Sequence, residues 1–285
     1  MVAIEVRPIP ASDHRDARKV CGPWCCARRE SGIILDVDAD SRDRWSALAH
    51  RNRRLCSPVD PARLVTFIGQ LPVPPAPYAV DLGCGKGEAL RLLLAEYGGN
   101  GTGVDLSARM LSDAGGSDEA IDFIQADAAG WRPDRLADVA ICMGSTHIFG
   151  GMAGASAALV ELVRAGGVVI LGDGYWRSVP STEHLQAFGM EAGELTDLDR
   201  LVASVADQRL VPVAVQPSSE AAWDDYEWSL IRSIELWALE NPDHSDVESF
   251  TSRTRMMRDT FLTWRRAAMG FAVIAAIKAP RTGAA

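Results

Sequence analysis

Three acidic residues and three glycines carry the strongest chemical signal in this 285-residue chain. In YAVDLGCGKGEALRLLL, Tyr78 to Leu94, an apolar run ending in Asp81 enters Gly83, Gly85 and Gly87 and then a helical stretch. Glycines in such a turn let the backbone fold back sharply and let a ligand reach the amides at a helix N-terminus, where nucleotide-like groups bind. Asp105 in GTGVDLS follows at about the interval, roughly 20 residues, at which a carboxylate meets ribose hydroxyls in βαβ nucleotide sites. Two carboxylate oxygens facing a diol are all that role requires. Asp127 in FIQADAA completes the series. Taken singly, each acid could be a helix cap; three in register point to a nucleotide pocket. The dinucleotide fingerprint wants Gly or Ala at position 88, where the chain has Glu88, so an NAD-dependent oxidoreductase stands as the weaker alternative.

The elements that must position these groups follow from hydrophobic patterning. After the Pro-rich joint Pro72 to Pro77, short apolar runs alternate with helical stretches, the pattern of a mostly parallel sheet flanked by helices. Strands are expected at about 78–82, 101–105, 121–125, 137–143 and 167–172, with helices at about 86–97, 107–114 and 152–165. Arg209–Val215 and Phe271–Ala279 are β-branched runs expected to be the last two strands. Between them, Trp223, Tyr226, Glu227, Leu230, Ile234 and Trp237 recur at three and four, giving a helix over 220–240 that Asn241-Pro242 stops. A second helix is expected from about Ser245 to Ala268, with Phe250, Met257, Phe261 and Trp264 on its apolar side. This two-helix insertion, residues 218–269, either covers the ligand edge of the sheet as a lid or merely buttresses it. Upstream, residues 41–75 hold a helix from Ser41 (its N-cap) to Cys56 and another from Pro61 to Gln70. Arg51, Arg53 and Arg54 are expected on a solvated face. Residues 1–40 show no persistent periodicity and are expected to form a poorly ordered arm.

Composition narrows the partners. With 29 basic and 38 acidic residues the formal charge is −9, which removes the general attraction that nucleic-acid binding relies on. The least charged stretch, Ile141 to Val160, is broken by Gly144, Gly150, Gly151 and Gly154, so no membrane span is expected. MVAIEVRPIP lacks the basic and apolar regions of a signal peptide, and a cytoplasmic protein is expected. Six cysteines are too few and too unevenly placed for a disulfide scaffold. The CGPWCC cluster lacks the spacing of zinc fingers and an obvious fourth ligand, so no metal is expected.

VDLGCGKG, GVDLS and ADAA, in this order, resemble the class I S-adenosylmethionine-dependent methyltransferases, over roughly Ala76 to Ala279. The resemblance implies a Rossmann-like seven-stranded, mostly parallel α/β sheet over residues 76–285 whose last strand is antiparallel. It also implies S-adenosylmethionine as cofactor and S-adenosylhomocysteine as product. Carried over by motif, Asp81, Gly83, Gly85 and Gly87 would hold the methionine end, Asp105 the ribose, and Asp127 with Ala128 the adenine amino group. Leu106 would pack on the adenine.

The fourth strand delivers DVAICMGSTHIFGG, Asp138 to Gly151, to the same sheet edge. The Asn-Pro-Pro-aromatic motif of the DNA-adenine branch is absent, which disfavours nucleobase methylation. Together with LGDGYWRSVP, Leu171 to Pro180, and the Trp-rich helices, the stretch looks like a bacterial group of methyltransferases presumed to act on small molecules. Met143 would lie beside the sulfonium. Methyl transfer is an in-line displacement, so alignment alone could supply about 7–11 kcal/mol. If the acceptor must lose a proton, His147 is the best base, with an ordinary pKa of about 6.5; a histidine bonded only to its loop is the competing reading. Asp173 and Tyr175 could orient the acceptor, although GDG equally suits a tight turn. Trp176 would wall the pocket. Cys84 and Cys142 have no neighbouring base and read as packing thiols. The acceptor atom (O, N, S or C) stays open. A sensor or scaffold that binds the nucleotide without turnover is the non-enzymatic alternative, and the helical insertion or the arm could build a homodimer.

Overall fold

A computed structural model describes residues 38–114, 119–188, 190, 191 and 193–280. The arm read over residues 1–40, apart from Asp38 to Asp40, and the CGPWCC segment lie outside the described residues. Helices α1 (Ala39–Ala49) and α2 (Pro61–Ile68) precede strand β1 (Tyr78–Leu82). There follow α3 (Glu88–Tyr97), β2 (Asn100–Asp105), α4 (Ala108–Asp113), β3 (Ile121–Gln125) and β4 (Ala137–Met143). Helix α5 (Met152–Leu162) leads into the long β5 (Val163–Trp176), then α6 (Thr182–Phe188), α7 (Leu198–Ala206) and β6 (Leu210–Pro217). The chain closes with α8 (Glu220–Glu240), α9 (Val247–Thr260) and β7 (Met269–Lys278).

The strands form one seven-stranded sheet in the order β3-β2-β1-β4-β5-β7-β6, in which β7 runs antiparallel to both neighbours. This is the expected Rossmann-like α/β architecture. The strand order reverses between β1 and β4, which opens a crevice at the carboxyl ends of those strands, the usual ligand position in such sheets. Helices bury both faces: Leu64, Leu90 and Phe271 belong to the core on one side, Leu82, Leu159 and Leu171 to the core on the other.

Several boundaries differ from the sequence expectation, each for a physical reason. Helix α1 is capped by the Asp38 carboxylate, which accepts from the Ser41 amide at 2.8 Å, so Ser41 is not the cap. It ends at Ala49 rather than Cys56 because the buried Lys86 ammonium donates to the carbonyl of His50 at 2.9 Å, pulling the following segment toward the sheet edge. Arg53 is not on a solvated face; it pairs with Asp225 at 2.7 Å and lies over the Tyr226 ring. The GDG segment is not a turn. It continues β5, where Gly172 makes room for the Phe271 ring and Gly270 on β7 makes room for Tyr175. Helices α6 and α7 were not anticipated. The last long helix is interrupted by a π-helical turn, Phe261–Arg265, that delivers Arg265 to the interior.

A third core joins the N-terminal helix to the insertion. Trp45, Leu230, Ile234 and Phe250 pack together, and the Trp45 indole donates to Thr254 Oγ1 at 3.0 Å. Helices α1, α8 and α9 therefore form one small helical unit.

Candidate active site

The carboxyl ends of β1 and β2 bring Asp81 and Asp105 to the same sheet edge, Asp105 lying two residues beyond Gly103, the register partner of Asp81. Gly83 has φ of 73° and Gly85 of 54°, in the left-handed region that favours glycine. A Cβ on Gly83 would sit 2.4 Å from that of Ser145, so the loop after β4 closes directly on this turn. A Cβ on Gly85 would lie in ordinary contact with Cys56 and Met110 at 3.8 Å, so it is the positive φ of this position, not crowding, that favours glycine there. Gly87, the third glycine, immediately precedes α3. Asp105 Oδ2 accepts from the Gly85 amide at 2.8 Å and Oδ1 from the Ser107 amide at 2.9 Å, so this carboxylate also shapes the glycine turn. Burial raises its pKa above the ordinary carboxylate range. Asp81 is more extreme: burial, and secondarily the charge of Asp105, push it up to about 8, and no donor among the described residues meets its carboxylate. A buried acid in that state is suited to a cationic ligand group.

Two cavities meet here, of about 150 and about 70 Å³, and share Gly83, Asp105, Ser107, Ser145 and His147. Leu106, Asp127, Ala128 and Ile148 line the smaller one. The larger runs from Asp81 and Met143 toward α1 and α8. All nine residues expected to hold the cofactor thus fall on this glycine turn or on the two lobes, with Gly87 at its edge rather than on the cavity wall.

The residues expected to act on the acceptor divide. His147 sits on a short 3₁₀ helix, Thr146–Phe149, facing both lobes. Its Nδ1 is buried without a partner, and burial lowers its pKa to about 4, so the ring is neutral at pH 7. Asp173 and Tyr175 do not line either cavity. The buried Asp173 carboxylate accepts from the Thr146 hydroxyl and, at 2.7 Å, from the Gly174 amide, which fixes the 3₁₀ helix from behind. Tyr175 packs in the core beside Gly270, because successive β5 residues alternate between the faces of the sheet. Trp176 packs edge-on against His184 and lines neither of these two cavities. Cys84 and Cys142 are held far above the usual thiol range by burial, in keeping with packing roles. Among the described residues no group of three His, Cys, Asp or Glu side chains is placed to hold a metal ion.

Sequence reasoning missed the wall contributed by the helical unit: His50 and Ser57 from α1 and its exit, and the role of Tyr226 and Glu227 on α8. The signal for Glu227 was its place on the apolar stripe of α8. It is buried and paired with the equally buried Arg265, and burial raises its pKa. Nothing in the sequence marked Ser57, whose buried hydroxyl has no partner.

Residues 79–167 match the family model described as "Methyltransferase domain". The chain is 30% identical to the uncharacterized protein YjhP of Escherichia coli strain K12 over 242 residues, covering 82% of this chain and 98% of that protein. It is 29% identical to a trans-aconitate 2-methyltransferase of Paracidovorax citrulli, over 52% of this chain and 61% of that enzyme. Among solved structures, the S-adenosylmethionine-dependent methyltransferase of Geobacter sulfurreducens in complex with S-adenosylhomocysteine superimposes with a TM-score of 0.78 at 27% identity. That match covers 86% of this chain and 100% of the other. The crystal structure of YjhP gives 0.77 at 30% identity, over 82% and 99%.

Proposed function

The chain belongs to the class I S-adenosylmethionine-dependent methyltransferases, and from that premise we propose that the two lobes hold the cofactor while the α1–α8 end of the larger lobe encloses a small methyl acceptor. The observation that carries the reading is the meeting of the lobes at Asp105, Gly83, Ser145 and His147. One lobe suits a base, the other an amino-acid end, and Asp105 lies between them where a ribose would. Asp127, Ala128 and Leu106 would receive the adenine, and Asp81 with the glycine turn the methionine ammonium; Asp81 fits because its buried carboxylate has no protein donor. When bound, the cofactor supplies an electrophilic methyl group on sulfur.

The chain's own residues then do three things. Trp223 and Phe271 exclude water from one wall of the larger lobe. The loop after β4, fixed by Asp173 through Thr146, sets where His147 stands. The neutral His147 ring accepts a proton from an acceptor that must lose one. Asp173 is thus a positioning residue in this reading and Tyr175 a structural one. We place the reaction in the cytoplasm, a reading supported by the free thiols of Cys56, Cys84 and Cys142; among the described residues no helix is long and apolar enough to cross a membrane.

Calorimetry with S-adenosylmethionine, S-adenosylhomocysteine and NAD tests the reading. Micromolar binding of the first two and none of NAD is expected. Binding of NAD alone would overturn it.

A further inference from the structure

At the acceptor end of the larger cavity the groups presented by α8 are hydrogen-bond acceptors, and the side-chain donors beside them are the hydroxyls of Ser46 and Ser57. His50 Nδ1 lies 2.8 Å from the Ser46 carbonyl, which can only accept, so Nδ1 carries the ring proton. Burial lowers the His50 pKa to about 4, so the ring is neutral and Nε2 is a lone pair. The Tyr226 hydroxyl, 2.9 Å from Nε2, must therefore donate to it. Its only proton is committed, and toward the cavity the phenol oxygen can only accept. Glu227, the next residue, lines the same wall; its Oε1 takes Arg265, the Trp223 indole faces the same carboxylate, and anything that meets it from the cavity must also be a donor.

Charge points the same way. Asp43, Glu88, Asp105 and Glu227 line the cavity with the carboxyl of Asp81; Asp43 pairs with Arg109 at 2.6 Å and Glu227 with Arg265, and the cationic side chain on the wall itself is Arg54. Arg54 is 69% exposed and already bonded to Glu88 at 2.7 Å. Recognition of a polycarboxylate wants Arg forks or clustered donors, and this wall has neither; Ser46 and Ser57 supply its hydroxyls. A buried ion pair such as Glu227–Arg265 contributes little net stability, so its place beside the cavity calls for another role.

Resting on the methyltransferase reading, we propose that the methyl acceptor is an amine, held through its N–H groups by Tyr226 and Glu227 with its apolar skeleton against Trp223 and Phe271, and not a carboxylate of the kind named for the trans-aconitate relatives. The reactive form is the neutral amine. Its nitrogen lone pair forms the new N–C bond as the methyl's C–S bond breaks, the electron pair of that bond passes to sulfur to leave a neutral thioether, and the displaced N–H proton passes by way of the neutral His147 ring to bulk water or leaves on the product as an ammonium.

Paired probes of one skeleton test this. S-Adenosylmethionine and S-adenosylhomocysteine are first titrated into the full-length protein; absence of both would mark failure of the cofactor reading itself. Phenethylamine and 3-phenylpropanoate are then titrated into the protein saturated with S-adenosylhomocysteine, and turnover of each, and of trans-aconitate, is followed as S-adenosylhomocysteine released from S-adenosylmethionine. The amine is expected to bind at least tenfold more tightly than the carboxylate. Tyr226→Phe should erase most of that preference while leaving S-adenosylhomocysteine affinity unchanged, and Glu227→Gln should weaken the amine but not the carboxylate. Equal or tighter binding of the carboxylate, methylation of trans-aconitate, or no binding of either probe to the loaded protein would overturn the proposal.

Discussion

At the scale of single residues the site is organised by carboxylates that the fold has made reluctant to ionise. Asp81, raised to about 8, is largely protonated at pH 7 while the site is empty. An ammonium beside it favours the charged form, so cofactor binding should release a proton, and affinity should fall as pH drops below about 8. Calorimetry at pH 7 in two buffers of different ionisation heat reads this directly, and in Asp81→Asn the buffer difference should vanish. Asp105 is the partner case. Asp105→Ala removes a charge-assisted bond of roughly 1.5–3 kcal/mol and should weaken cofactor binding correspondingly. Because Asp105 also holds the Gly85 and Ser107 amides, Asp105→Asn is expected to lose part of the same affinity through a disturbed turn. His147 behaves oppositely: with its pKa near 4 it stays neutral from pH 5 upward, so it should add no step of its own to the pH profile of kcat above about pH 5, where any smooth fall belongs to protonation of the acceptor amine. A step in kcat with a midpoint near the ordinary histidine value of about 6.5 would mean that burial does not hold the His147 ring neutral. His147→Ala should spare cofactor binding and lower turnover.

At the scale of elements, the Lys86 ammonium is the link between the glycine turn and the helical unit. It donates to the His50 carbonyl and pairs with Asp113 at 3.1 Å while only 5% exposed itself. Lys86→Met keeps the stem and removes the donor. It should cost about 1.5–3 kcal/mol in chemical denaturation and also weaken cofactor binding, because His50 and Ser57 lose their anchor. That link explains which parts were legible in the sequence. Strands β1, β3 and β4 lie where their apolar runs place them, and α8 stops where Asn241-Pro242 requires, because those signals are local. The end of α1 was illegible because its cause, Lys86, lies far along the chain and acts through space. Likewise Glu227 could be put on the inner stripe of α8, but not beside Arg265, whose position depends on a π turn. Helix α7 is a different case: Asp197 as cap and Leu201 and Val205 at helical spacing were present to be read. The acids proposed for the cofactor were legible because they lie at or just after strand ends, whereas Asp173 and Tyr175, read as groups that could orient the acceptor, stand at positions that a continuing strand turns away from the two cavities.

At the scale of the whole molecule, the proposed function divides the work: the sheet edge would hold the cofactor and the α1–α8–α9 unit would wall the acceptor. Saturation with S-adenosylhomocysteine is therefore expected to slow amide hydrogen exchange in the glycine turn and in the segment Arg51 to Pro58, with the N-terminal half of α8 slowing further only when an acceptor analogue is added. Equal protection of α8 by the cofactor alone would mean that the two halves are not separable. The unit is closed by Trp45 and Thr254, partners 209 residues apart. During synthesis the glycine turn and both nucleotide-facing acids leave the ribosome well before α8 and α9 exist. A nascent chain can thus come to hold its nucleotide early, whereas the chamber in which a second molecule could be modified waits until α8 and α9 have both emerged.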